Sequence, residues 1–158
     1  MSVATIEAER TLPYSARDLC KLVGDVKSYP RFIPWLKALR ILEQKPLGDG
    51  GWEGVAEATV GWKAITERFS TRVRCSPEEG AVDVSLVKGP FKSLANRWRF
   101  EEAPEGAPKG ALVKFWVAYE FKNPVLQRLL TFQRAHAAAR VMRAFEDEAK
   151  RRLTPQSN

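Results

Sequence analysis

The chain has 158 residues, enough for one domain with a substantial core. Hydrophobic residues make up 44% and charged ones 28%, a globular balance, and no apolar run approaches the roughly 18 residues of a membrane span. Lys and Arg number 26 against 19 Asp and Glu, so the formal charge is +7, which suits anionic headgroups or ribosomal RNA as partners and equally a solvated basic surface.

In chain order, VATIEAERTL alternates. Ala4, Ile6, Ala8 and Leu12 share one side and Thr5, Glu7 and Glu9 the other, which predicts a first strand. SARDLCKLVGDV predicts a helix: Ser15 caps it, Leu19, Leu22 and Val23 share a face, and Gly24 ends it. YPRFIPW, residues 29–35, then combines Tyr29, Phe32, Ile33 and Trp35 with Pro30 and Pro34. It is too apolar for a solvent loop and too kinked for a regular helix or a central strand. A lid over an apolar pocket is the expected use.

From residue 39 to 121 the period is two, broken by the turn signals PLGDGG, CSPEEGA, KGPF and EAPEGAPKGA. Glu67, Phe69, Thr71, Val73 and Cys75 oppose Arg68, Ser70, Arg72 and Arg74. Val82, Val84 and Leu86 oppose Asp83 and Ser85; Leu94, Trp98 and Phe100 oppose Arg97 and Arg99. Val113, Phe115, Val117, Tyr119 and Phe121 oppose Lys114 and Glu120. This predicts an antiparallel sheet covered on one side. The cover is residues 123–153, expected as one helix of about 45 Å with Asn123 as cap and Pro124 at its first position. Leu126, Leu130, Ala137, Val141, Ala144 and Phe145 form its apolar stripe. The reading is a single α+β domain over residues 1–153, with a disordered tail over 154–158.

Catalytic and metal chemistry find little support. The one histidine, His136, has no carboxylate or thiolate at ligand spacing, and Cys20 and Cys75 read as small core residues of a reduced compartment. Glu57, Glu67 and Asp83 lie in strands, where ion pairing is the expected role. No catalytic residue and no metal ligand is assigned. MSVATIEAER has neither an apolar signal core nor an Arg-rich transit pattern, so the expected location is the cytoplasm, with any membrane met from its inner surface. Binding is better supported. Arg134 falls within the apolar stripe, where a cavity tolerates a polar anchor and a dry interface does not. Leu129 and Phe132 fall on the polar side of the helix and need cover.

The segments YSARDLCKLVGDVKSYPRFIPW, ATVGWKAITERFSTRV and LVKGPFKSLANRWRFE, with the closing helix, resemble the coenzyme Q-binding protein family of the START-like (polyketide cyclase/dehydrase) superfamily. The resemblance covers nearly the whole chain. It implies a helix-grip fold, a curved antiparallel sheet wrapped around a long C-terminal helix with an elongated cavity between. It implies ubiquinone or a related polyprenyl quinone as bound ligand, with no catalytic cofactor, in a carrier or chaperone supporting ubiquinone synthesis or respiration. Relatives labelled ribosome-association toxins make binding of the large ribosomal subunit a second reading, and a cyclase-type enzyme is a third. Strand parity puts Phe69, Val84, Leu86, Trp98, Phe115, Arg134 and Val141 around the cavity, and Phe32, Trp35, Phe91, Leu129 and Phe132 at its lid or entrance.

Overall fold

The computed structural model describes residues 3–62 and 64–156. β1 (Ala4–Leu12) leads into α1 (Ala16–Gly24), a 3-10 turn (Val26–Ser28) and the single-turn α2 (Tyr29–Phe32). Six strands follow: β2 (Leu36–Gly48), β3 (Gly51–Trp62), β4 (Ile65–Ser76), β5 (Ala81–Lys88), β6 (Phe91–Glu102) and β7 (Ala111–Phe121). The chain closes with α3 (Pro124–Phe132) and α4 (Arg134–Arg152). The strands form one antiparallel sheet in the order β1-β7-β6-β5-β4-β3-β2. This is the α+β helix-grip arrangement expected from the sequence. Three register shifts between β2 and β3 bend the sheet at its β2 edge.

Local chemistry explains the element ends. The Ser15 hydroxyl accepts from the Asp18 amide at 3.1 Å and starts α1. The Asn123 side-chain carbonyl accepts from the Val125 and Leu126 amides and starts α3 behind Pro124. Pro30 fits the first turn of α2, and Pro34 forces Ile33 into extended backbone, so α2 stops after one turn.

The core is a row across the inner face. Trp52, Cys75, Val82, Trp98 and Phe115 are successive cross-strand partners, and all are buried. Phe145 of α4 closes on them, its ring 4.9 Å from Trp98, and Tyr29 and Phe32 pack edge-on against Phe145 at 5.2 and 5.3 Å. α1 seals the same end. Its Cys20 is buried against Cys75, and both thiols are free. Gly24 is there because nothing larger fits: a β-carbon would stand 2.2 Å from the Cys75 sulfur. We expect Gly24→Ala to lower the free energy of unfolding by about 1–3 kcal/mol, as overpacking does, read from the urea midpoint. An unchanged midpoint would show that α1 can slide off Cys75.

The single long helix of the sequence reading is corrected. Gln133 leaves helical geometry (φ −99°, ψ 12°) and separates α3 from α4, although the Ala137 amide still donates to the Gln133 carbonyl. The break resets the helical phase. α4 buries Ala138, Met142, Phe145, Glu148 and Ala149, while Ala137, Val141 and Ala144 stay half-buried. α3 buries Gln127, whose side-chain carbonyl accepts from the Phe121 amide and whose NH2 donates to the Tyr119 carbonyl, docking α3 on the end of β7. Of the expected tail, Gln156 donates its amide to Pro13 at 2.7 Å, and residues 157 and 158 lie outside the described residues.

Candidate functional site

One pleat repeat above the closed Trp98 row, about 7 Å along the strands, the interior opens. Val84, Asn96, Val117 and Ile6 are again successive cross-strand partners facing inward, but each is only half-buried. Phe69 and Leu86 of β4 and β5, and Val141 and Leu130 of the helices, border the same space and are half-buried too. These inward-facing, half-buried apolar side chains are the candidate lining of a groove between sheet and helix. The Asn96 amide is committed, donating to the Trp116 carbonyl at 2.9 Å.

The structure sorts the expected cavity residues. Phe69, Val84, Leu86 and Val141 are half-buried and stay candidates for the groove lining. Trp98 and Phe115, expected as lining, are packed into the closed row and form its floor, their rings 4.7 Å apart. Arg134, expected inside the apolar stripe, is exposed, because the break at Gln133 puts it at the start of α4. There it lines an open cleft of about 380 Å³ with Val3, Ala4, Gln127, Arg128, Thr131 and Phe132.

The expected lid residues do not form one lid. Phe32 is half-buried against Phe145. Trp35 is half-buried beneath the Arg140 guanidinium, 5.4 Å from its ring centre, so this contact bridges from the α2–β2 connection to α4. Phe91 is corrected from entrance to core: it is buried and stacked on Phe121 at 4.4 Å, with Phe69 edge-on. Leu129 is half-buried, whereas Phe132 is 89% exposed at the α3–α4 break. His136 is exposed; Glu57 pairs with Arg40, and Asp83 with Arg99, on the outer face.

Electrostatics close the far end. Glu148 is buried yet ionised: Arg151, donating at 2.7 and 2.9 Å, holds its carboxyl below the usual carboxylate range, with Arg152 assisting. Arg152 also reaches Asp25 and ties α4 to the end of α1. Nearer the cleft, burial pushes the Tyr119 phenol up, partly offset by the Thr131 hydroxyl and the Arg134 charge.

Sequence reasoning missed Ile6, Val117 and Asn96 in the groove and Gln127, Tyr119 and Thr131 beside it. A lone amide between Leu94 and Trp98 on an apolar face was a usable signal for Asn96. The burial of Gln127 had none, since it follows from the helix break.

Residues 12–146 match the family model described as polyketide cyclase/dehydrase and lipid transport. The chain belongs to this family. Proteins to which it is similar carry names of different kinds. It is 33% identical over 147 residues to the ribosome association toxin RatA of Pseudomonas aeruginosa, covering 92% of this chain and 94% of that one. It is 30% identical over 145 residues to the mitochondrial coenzyme Q-binding protein coq10 of Schizosaccharomyces pombe, covering 90% and 85%. The solution structure of the 18 kDa protein CC1736 from Caulobacter crescentus superposes with a TM-score of 0.74 at 36% identity, covering 96% and 97%.

Proposed function

We propose that this chain binds a polyprenyl quinone such as ubiquinone in the groove between sheet and α4 and carries it, in support of quinone synthesis or respiratory electron transport, without transforming it. The observation that carries the reading is the inward row of Val84, Asn96, Val117 and Ile6, apolar but for one committed amide and only half-buried. A prenyl tail gains about 0.8 kcal/mol per CH2 on leaving water, and gains the same in a bilayer. A carrier therefore has only to match the bilayer, and an apolar groove does so. Resemblance to a coenzyme Q-binding protein supports the choice of lipid.

Delivery calls for a surface that meets a bilayer, and α3 fits it. Phe132 and Val125, 89% and 71% exposed, project from α3. Between Phe121 and Phe145 the chain has no Asp or Glu, while Lys122, Arg128, Arg134, Arg140 and Arg143 lie in that stretch. Apolar side chains among bases suit an anionic lipid surface. No described helix is long and apolar enough to cross a membrane, so the contact is peripheral in this reading.

The test is titration with a short-tailed ubiquinone followed by tryptophan fluorescence. Saturable binding is expected, little changed by salt, because a neutral ligand releases no counterions. Val84→Trp should fill the groove and weaken binding at least tenfold while leaving the protein folded.

A second reading, binding of the large ribosomal subunit, draws on the RatA relatives and on the outer face of the sheet. There Arg72 is exposed, and the Arg97 guanidinium lies 4.6 Å over the Trp116 ring. Contacts to RNA phosphate weaken steeply with salt. Salt-sensitive sedimentation with large subunits, together with no quinone binding, would replace the carrier reading with this one.

A further inference from the structure

Two buried polar atoms stand out from an interior that is otherwise satisfied. Among the described residues, the Tyr119 hydroxyl and the Thr131 hydroxyl are enclosed with no hydrogen-bond partner beyond one another. Tyr119 is only 6% exposed. Their neighbours are served: Gln127 bonds to the backbone of Tyr119 and Phe121, and Asn96 to Trp116. An unmade buried hydrogen bond costs about 1–3 kcal/mol, so such a group calls for an explanation. The proximity of the two residues does not remove the problem. Two hydroxyls hold two donor protons; a bond between them uses one and leaves one without an acceptor.

Both residues adjoin the cleft at the α3–α4 break. Thr131 lines it, and Ala4, which also lines it, is the direct cross-strand partner of Tyr119. Its volume of about 380 Å³ lies within the usual range for small-ligand sites. Val117, in the groove row, stands two residues from Tyr119 on the same face of β7. A ligand whose polar end reaches Tyr119 thus has its apolar remainder directed at the groove. The surroundings select the class of polar end. Ala4, Phe91, Phe121 and Leu130 pack around Tyr119, which disfavours a full negative charge there. The exposed Arg134 guanidinium at the rim favours an oxygen carrying partial negative charge.

We propose that the Tyr119 and Thr131 hydroxyls are the anchor for a neutral ketone-type carbonyl, the ring oxygen of the quinone lipid. The assignment rests on the groove reading above. The hydroxyls donate to the carbonyl oxygen, and the tail lies past Val117.

The test compares the wild type with the double variant Tyr119→Phe, Thr131→Val, which removes both hydroxyls at nearly constant shape. Two ligands are used: a short-tailed ubiquinone, and a prenylated benzene of the same tail lacking the ring carbonyls. The variant is expected to bind the quinone about tenfold more weakly and the benzene unchanged. Its ligand-free melting temperature should stay level or rise, because unmade buried donors have been removed. Equal quinone affinity in the two proteins overturns the anchor alone. A melting temperature lower by several degrees also overturns it, by showing that the hydroxyls serve the fold. Wild-type protein that binds neither ligand overturns the groove reading and the anchor with it. If the double variant does not fold, Tyr119→Phe and Thr131→Val are each tested singly by the same criteria.

Discussion

Removing residues 124–158 should leave a chain that cannot remain folded and monomeric. α3 and α4 cover the inner face of the sheet where α1 does not. Met142, Phe145 and Ala149 are buried against the Trp98 row, and Leu130 packs over Tyr119 and Phe91. Without them, Trp98, Tyr119 and Phe91 would lose their helical cover and the inner face would expose a large apolar patch, which soluble monomers avoid. The expected result is aggregation or a state that binds a hydrophobic dye and lacks fixed near-UV signal. A soluble truncation with native strand content and a cooperative unfolding transition would show that the sheet does not need the helix it grips.

Phe145→Ala should be among the most damaging single changes, lowering the free energy of unfolding by about 3–5 kcal/mol. The ring meets Tyr29 and Phe32 from α2 and Trp98 from β6, so it joins three parts of the chain that are distant in sequence. Truncation leaves a cavity whose walls cannot easily collapse, because the Tyr29 hydroxyl is held by the Val23 carbonyl and Trp98 by its strand. Chemical denaturation is the measurement. A loss under about 1 kcal/mol would mean that α2 moves freely to fill the gap, and would favour a mobile α2 segment after all.

Much of this was legible in the sequence, and the reasons differ by element. Strand faces alternate between the bulges, so Phe69, Thr71, Val73 and Cys75, or Leu94, Trp98 and Phe100, were assigned to the inner face by counting, whereas the bulge after Phe91 hid its burial. The caps Ser15 and Asn123 were legible because their chemistry is local. The α3–α4 break was not. The apolar stripe continues through Gln133 without a Pro or Gly to mark it, and the change of direction follows from docking Gln127 on the end of β7. The same limit explains the site. Parity says which side chains face inward, and it cannot say which inward rows are packed shut. Trp98 and Phe115 share their face with Val84 and Val117, and the packing of Phe145 and α1 onto one end of that face closes the Trp98 row. The YPRFIPW segment held both answers at once, since Phe32 joins the core while Trp35 stays half-open under Arg140.

The strand order carries a consequence for how the molecule comes into being. β2 to β6 are each bonded to the strand made just before or after, so they can assemble as successive hairpins while synthesis proceeds. β1 cannot. It precedes the other strands, and its strand neighbour among the described residues, β7, is the last strand made, with Ala4 finally lying opposite Tyr119. Closing so distant a pair is slow, because the loop entropy must be overcome before any contact compensates. Until then the alternating apolar residues of β1 have no strand to bond to, and the growing sheet ends in an open edge at β6. A ribosome that stalls before residue 111 therefore releases a chain with an orphan first strand and an unpaired edge, the combination that most readily joins another copy of itself.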